Sequence, residues 1–98
     1  MEVLFRDDDL ERIYIDPTYD GKYSQSLVRA FRKTMQVIIA GVDERTFYSM
    51  KSLHFEKLKG NRSHQYSMRL NDQWRLSLEI SGTSPNKVIE IIGLEDYH

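Results

Sequence analysis

Residues 65–80 read QYSMRLNDQWRLSLEI, and this stretch decides the fold. On both sides of Asn71-Asp72, apolar side chains occupy every second position and polar or charged side chains fill the positions between them. Strict alternation is typical of a strand with one buried and one exposed face, and an Asn-Asp pair is typical of a turn. The stretch therefore predicts two antiparallel strands joined by a short hairpin turn.

The flanking sequence extends this hairpin into a sheet. After a loop over Ser81–Asn86, the apolar run Lys87–Ile92 predicts a last strand, and Glu2–Phe5 predicts a short first strand. Because helical patterns fill the sequence between the first strand and the hairpin, the chain reads as a single α+β domain over residues 1–98. We expect two to three helices on one face of a mainly antiparallel sheet.

The first half of the chain carries the helical signals. Asp8 and Glu11 have the spacing of a capping box at the start of a short helix. Ser24 is a good N-cap for the main helix, Gly41 ends or bends it, and Asp43 begins a further helical turn. The apolar stripe of the main helix is predicted to comprise Leu27, Phe31, Met35, Ile38 and Val42.

The composition excludes several classes of protein. The chain has 98 residues and no cysteine, which excludes a disulfide framework and a thiolate zinc site. It contains no apolar run of membrane-spanning length and no basic-then-apolar signal region at its start. No pair of ligands has metal-site spacing, so we expect no metal and no cofactor. We expect a cytoplasmic protein.

Charge is distributed unevenly along the chain. The formal net charge is −1, but residues 1–20 carry a balance of −5, residues 21–75 one of +7 and residues 76–98 one of −3. A basic middle segment can attract a polyanion even when the whole protein is weakly acidic. The alternative for Arg29, Arg32 and Lys33 is an ordinary solvated helix face.

Side chains suited to phosphate chemistry converge on the polar face of the predicted hairpin. If Trp74, Leu76 and Leu78 pack against the helices, Arg75 must lie on the opposite face, and Arg69 on the neighbouring strand shares that face. Lys59 and the C-terminal Asp96-Tyr97-His98 lie on segments that can reach the same face.

Cleaving RNA without a metal needs a base for the 2′-hydroxyl, cations at the phosphate and an acid for the leaving 5′-oxygen. An imidazole can serve as acid or base near neutral pH, so His98 is a candidate for either role. Asp96 is a candidate base or a group that orients His98, and Tyr97 can stack on a base. Arg75 and Lys59 are the candidate phosphate cations.

Four segments resemble the HigB group of the RelE toxin superfamily: Leu53-His54, Leu58-Lys59-Gly60, Trp74-Arg75-Leu76 and Asp96-Tyr97-His98. The resemblance implies a RelE-like fold and a ribosome-dependent mRNA endonuclease, an mRNA interferase toxin of a type II toxin–antitoxin system. It also implies cleavage to a 2′,3′-cyclic phosphate. The implied partners are a helix-turn-helix, HigA-like antitoxin, the 70S ribosome and mRNA.

The resemblance also implies the site residues. The catalytic set is His98, Asp96, Tyr97, Arg75 and His54. Of the RNA- or phosphate-binding set, the resemblance supplies Lys59, and the nearby cations Lys57, Arg62 and Arg69 are added from the sequence itself. The position of His54 stays open, because the chain between His54 and Lys59 is two residues longer than the family pattern. In strict register Glu56 takes the family's histidine position, so either His54 stays in the site, or Glu56 replaces it, or neither acts.

The acidic first twenty residues depart from the family, whose members are often strongly basic. Asp7–Asp9 either cap a helix or receive a basic antitoxin segment. Two other functions compete with an endonuclease. One is a non-catalytic RNA- or antitoxin-binding domain of the same fold, and the other is an interaction domain that uses the acidic first half as its surface.

Overall fold

The computed structural model describes residues 1–83 and 86–96, so Ser84, Pro85, Tyr97 and His98 lie outside the described residues. Its helices are α1 (Asp8–Ile15), α2 (Gln25–Ala40) and α3 (Glu44–Ser49), with two short 3-10 turns at Lys51–Leu53 and Gly60–Arg62. Its strands are β1 (Glu2–Phe5), β2 (Glu56–Lys57), β3 (Gln65–Arg69), β4 (Trp74–Ser81) and β5 (Val88–Asp96).

The strands form one five-stranded sheet in the order β1-β5-β4-β3-β2. β1 runs parallel to β5, and all other neighbours are antiparallel. The predicted hairpin is confirmed, with Tyr66 opposite Leu78 and Met68 opposite Leu76. The α+β prediction is therefore correct, with helices on one face of a mainly antiparallel sheet.

The core lies between the helices and the apolar face of the sheet. Its fully buried members include Leu10, Ile13, Phe31, Met35, Ile38, Phe47, Met68, Leu76, Leu78, Ile89 and Ile91. Because successive strand residues alternate between faces, the polar side chains of the same strands are left on the other side. We call that side, which the helices do not cover, the open face.

Helix caps confirm most of the predicted boundaries and correct one. Ser24 caps α2, its hydroxyl accepting from the Leu27 N–H at 3.2 Å. At α1 the cap is Asp7, not Asp8, and its carboxylate accepts from the Leu10 N–H at 3.0 Å. Asp7 has extended backbone angles, whereas Asp8 is already helical, so the capping-box prediction lay one residue late.

The prediction that Val42 continues the α2 stripe is wrong, because α2 ends at Ala40 and Gly41 leaves it in an extended conformation. Val42 is 80% exposed. Phe47 packs so close to Gly41 that an added Cβ would lie 2.8 Å from the ring. Gly41 therefore ends α2 and also leaves room for the Phe47 ring of α3 in the core.

Two features of the sheet were not predicted. One is β2, which pairs Glu56 with Ser67. The other is the length of β5, which continues past Ile92 to Asp96. Within the described residues no helix is long and apolar enough to cross a bilayer, and the longest, α2, has 16 residues.

A β-bulge in β5 sets the orientation of its last residues. Ser77 lies opposite Gly93, but the next residue of β4, Leu78, lies opposite Ile91, so Ile92 is the extra residue. The bulge reverses the alternation beyond it, because one inserted residue exchanges the two faces. Glu95 consequently shares the open face with Arg75.

Candidate active site

A cavity of about 190 Å³ opens on the open face of the sheet. Its lining comes from β2, β3, β4, β5 and the segment between β2 and β3: Glu56, Leu58, Arg62, Ser67, Arg75, Glu95 and Asp96. The cavity therefore collects charged side chains from segments that are far apart in the sequence.

Arg75 is the most enclosed cation of this cavity. Its side chain is only 15% exposed, and its Nη1 lies 3.8 Å from Oε1 of Glu56. Charges interact more strongly where water is partly excluded. The Arg75 guanidinium is therefore well placed to stabilise negative charge that enters the cavity.

The structure brings Glu56, and not His54, into the cavity. Glu56 lies opposite Ser67 in the sheet, and its side chain is 56% exposed. His54 is exposed, precedes β2 and has a left-handed backbone with φ of 45°. Between them Phe55 is buried and stacks on Tyr66 with ring centroids 5.1 Å apart, which anchors the segment to the core.

Arg62 and Glu95 form a two-pronged ion pair in the wall of the cavity. Arg62 Nη1 donates to Glu95 Oε1 at 2.9 Å, and Nη2 donates to Oε2. Gln65 Oε1 accepts from Nε at 3.1 Å and from Nη2 at 2.9 Å. The hydrogen bonds from Arg62 hold the pKa of Glu95 below its ordinary value, although burial opposes this shift.

Sequence reasoning missed Glu95. Straight alternation along β5 from Ile89 and Ile91 places Asp96 on the open face and Glu95 on the core side. The bulge at Ile92 brings Glu95 to the open face, and Asp96, at the end of the strand, also lines the cavity. Gly93 was the available signal, because an isolated glycine in a strand often marks a bulge.

The open face continues from the cavity towards β1 as a chain of alternating charges. Glu79 accepts from Arg6 at 2.9 Å and from Gln65 at 3.5 Å, and its Oε1 lies 3.2 Å from His64 Nε2. Arg6 also donates to Glu90 at 2.7 Å. The cations of this region are therefore paired with carboxylates.

The sequence family follows from a match over nearly the whole chain. Residues 3–98 match the family model described as the RelE-like toxin of type II toxin–antitoxin system HigB. The chain belongs to the HigB-like toxin family. None of the curated proteins is significantly similar in sequence.

Solved structures share the fold at low sequence identity. A YoeB/ParE toxin from Agrobacterium tumefaciens is 15% identical, with a TM-score of 0.60 and coverage of 100% of both chains. The toxin–antitoxin complex YoeB–YefM from Staphylococcus aureus contains a chain 20% identical, with a TM-score of 0.61 and coverage of 100% of this chain and 97% of that chain. These matches show that this HigB-like toxin shares the fold of those solved toxins.

Arg69 of this HigB-like toxin lies outside the cavity, although it is directly opposite Arg75 in the sheet. Its Nε donates to the Asn71 carbonyl at 3.3 Å, and its Nη2 pairs with Asp72. Arg69 lines a separate groove of about 320 Å³ beside α2. The turn of the hairpin therefore holds the guanidinium that alternation alone placed beside Arg75.

The two predicted lysines also lie outside the cavity lining. Lys57 is exposed and sits opposite Tyr66, a residue of the core side, so alternation separates it from Glu56. Lys59 is exposed between Leu58 and Gly60, one residue beyond a lining residue. Lys59 is therefore available to a partner that covers the mouth of the cavity, whereas Lys57 faces away from it.

Of the predicted C-terminal triad, Asp96 lines the cavity, and its Oδ2 accepts from Gln73 Nε2 at 2.9 Å. Tyr97 and His98 lie outside the described residues. Ser67, which the sequence did not single out, lines the cavity at 4% exposure. Its Oγ has no hydrogen-bond partner among the residues that the structure describes.

The described part of the chain contains no group of three or more His, Asp or Glu side chains arranged to hold a metal ion.

Proposed function

We propose that this HigB-like toxin is a ribosome-dependent mRNA endonuclease. Cleavage proceeds by attack of the 2′-hydroxyl on the neighbouring phosphate, leaving a 2′,3′-cyclic phosphate, with no metal in the reaction. The observation that carries the proposal is the contact between Glu56 and Arg75, whose Oε1 and Nη1 atoms lie 3.8 Å apart in the cavity. Membership of a toxin family of the RelE type supports it.

The two side chains match the two ends of the reacting group. Glu56 accepts the proton of the 2′-hydroxyl as a general base, and its exposure makes it accessible to RNA. Arg75 holds phosphate oxygens with its planar fork and stabilises the charge that builds there. Of the alternatives left open by the sequence, this assignment is the one in which Glu56 occupies the family's histidine position. Glu56 then has the catalytic role that the resemblance gives to His54.

The C-terminal residues complete the proposal. His98 protonates the leaving 5′-oxygen, Asp96 orients His98, and Tyr97 stacks on a base beside the scissile phosphate. Asp96 supports this assignment because it already lines the cavity, which leaves one residue between it and His98. The cavity is small enough to admit the phosphate and its ribose while the base stays outside.

The chain has a net charge of −1, so its own attraction for mRNA is weak and the ribosome presents the mRNA to the cavity. Arg62 contacts an RNA phosphate within the cavity, and Lys57, Lys59 and Arg69 contact RNA outside it. The mRNA and the 70S ribosome are therefore substrate and partner in the cytoplasm, and a helix-turn-helix, HigA-like antitoxin neutralises the toxin.

Primer extension on a defined mRNA in a purified translation system tests this function. We compare the wild-type protein with Glu56→Gln and Arg75→Lys, with and without ribosomes, and use Glu90→Gln as a control on the same sheet face. Cuts at codon positions that need ribosomes, persist in Glu90→Gln and vanish in the two cavity variants support the proposal. Cleavage of free RNA would support an endonuclease but would contradict its dependence on ribosomes.

One observation favours a second function, a non-catalytic RNA- or antitoxin-binding domain. Cations of the open face such as Arg6 and Arg62 are engaged by carboxylates, which weakens attraction for RNA. Growth arrest on expression separates the two functions. Arrest that survives both Glu56→Gln and Arg75→Lys in folded protein favours binding without catalysis.

A further inference from the structure

The charge of the cavity lining conflicts with the binding of a phosphate. Two cationic side chains, Arg62 and Arg75, share the lining with three carboxylates, Glu56, Glu95 and Asp96. Among the described lining residues, a phosphate group that enters meets one more carboxylate than cation, so one carboxylate must leave the cation that it occupies.

Glu95 is the carboxylate that mimics a phosphate most closely. It offers two oxygens to the Arg62 fork, in the same side-by-side geometry that a phosphate uses with arginine. Glu95 also lies directly opposite Arg75 in the β4–β5 ladder. Its carboxylate is therefore bonded to one of the cations that a bound phosphate would use and shares the open face with the other.

The other two carboxylates are held differently. Glu56 is more than half exposed and approaches Arg75 at 3.8 Å, which is longer than a hydrogen bond. Asp96 accepts from Gln73. Glu95 alone of these three carboxylates accepts two hydrogen bonds from Arg62 among the described residues.

We propose that the Glu95 carboxylate competes with RNA phosphate for Arg62. This internal competition lowers the affinity of the cavity for its substrate. The inference rests on the proposed function and names the residue that determines substrate affinity at the same site. When RNA enters, a phosphate exchanges with the Glu95 carboxylate at Arg62.

Gln65 makes this exchange feasible. Its Oε1 accepts from both Nε and Nη2 of Arg62, and these bonds do not involve Glu95. Arg62 therefore stays directed into the cavity after Glu95 leaves. The exchange costs the Glu95 bonds but no reorientation of Arg62, because the guanidinium is already fixed.

Titration with inorganic phosphate, followed by calorimetry and by NMR of the arginine side chains, tests the inference on the full chain without ribosomes. We expect Glu95→Gln to bind phosphate roughly five- to tenfold more tightly than the wild-type protein, since an exposed ion pair of modest strength is removed from the competition. Glu90→Gln, which removes a carboxylate bonded to Arg6 on the same face, is the matched control and should bind like the wild type.

The double variant Glu95→Gln with Arg62→Gln shows which cation is responsible for the tighter phosphate binding. If Glu95→Gln acts by freeing Arg62, the double variant should not bind phosphate more tightly than the wild type. Unchanged or weaker binding by folded Glu95→Gln overturns the inference, and so does an equal gain in Glu90→Gln or in the double variant.

The wild-type protein supplies a measurement that needs no variant. Saturation with phosphate should shift the carboxyl ¹³C resonance of Glu95 and the Nε–H resonance of Arg62. Saturation that leaves both resonances in place overturns the inference. Because neither experiment depends on RNA cleavage, failure here leaves the primer-extension test standing, and failure of cleavage leaves the exchange at Arg62 testable.

Discussion

Arg75 and Glu95 lie directly opposite each other on the open face, at the ends of β4 and β5 that form the cavity. This pairing exists because Ile92 is bulged out of the β4–β5 ladder. If Ile92 were paired in a regular ladder instead, straight alternation would send Glu95 to the core side. The site therefore depends on one backbone irregularity as well as on its side chains.

Replacement of Arg75 by lysine should reduce cleavage by roughly a hundredfold, because a lysine keeps the charge but lacks the planar fork that grips a phosphate. The measurement is the initial rate of ribosome-dependent mRNA cleavage, with folding checked by circular dichroism. Arg45→Lys is the control, since Arg45 is highly exposed and pairs with Asp43 away from the cavity. A cleavage rate within twofold of the wild type in Arg75→Lys contradicts the assigned role.

Glu56→Gln and His54→Gln should have opposite outcomes. Loss of the general base should lower the cleavage rate by about 10²–10⁴-fold in Glu56→Gln. His54→Gln should retain nearly wild-type activity, because His54 lies outside the cavity lining. The measurement is the single-turnover rate of cleavage of one mRNA by both variants. A larger loss of rate in His54→Gln than in Glu56→Gln would indicate that His54 is the general base.

Gly41→Ala should lower the free energy of unfolding by about 1–3 kcal/mol, because its Cβ would meet the Phe47 ring at 2.8 and 2.9 Å. Gly93→Ala is a matched control in β5, where the nearest atom to an added Cβ is Asp7 Oδ2 at 4.0 Å. Urea denaturation of both variants gives the comparison. Equal losses in the two variants would show that the Phe47 contact is not the cause.

Acid should weaken the link between α3 and the sheet. Lys87 donates to Glu44, and this hydrogen bond holds the pKa of Glu44 below its ordinary value of 4.5. A carboxyl with a lowered folded pKa stabilises the protein fully above its unfolded pKa, and the stabilisation is lost as pH falls through the folded value. Glu44→Gln should therefore lose about 1 kcal/mol at pH 7, a modest figure because the pair is partly exposed, and the difference from wild type should vanish well below pH 4.5.

Thermal unfolding from pH 2 to pH 7 measures this convergence. Glu11→Gln, on the exposed side of α1, is the control and should follow the wild type throughout. A constant gap between Glu44→Gln and the wild type across the whole pH range would assign the effect to packing.

Local rules predicted most of the fold. The alternation of Met68 and Leu76 with polar neighbours specified the hairpin, and Ser24 and Gly41 specified the ends of α2. β2 escaped prediction because two residues are too few to show a period, and it is held by pairing with a strand that follows later in the chain. Asp7 displaced Asp8 as the cap because the β1–α1 connection keeps Asp7 extended.

The candidate site was harder to predict than the fold. Arg75 was placed correctly on the open face, because the alternation of β4 with Leu76 and Leu78 is regular at this point. The cavity lining was not fully predicted, since a hydrogen-bonding turn holds the Arg69 guanidinium outside it and a bulge brings Glu95 into it. Both effects arise from non-local geometry that periodicity does not contain.

The position of β5 within the sheet has a consequence for folding during translation. β5 is the last strand in the sequence, yet it is an inner strand that lies between β1 and β4, and Glu2 pairs with Val88. A sheet of this topology cannot close until residues near both ends have left the exit tunnel, because contacts between distant residues form late in folding. The cavity therefore cannot assemble on the nascent chain until β5 has emerged from the ribosome.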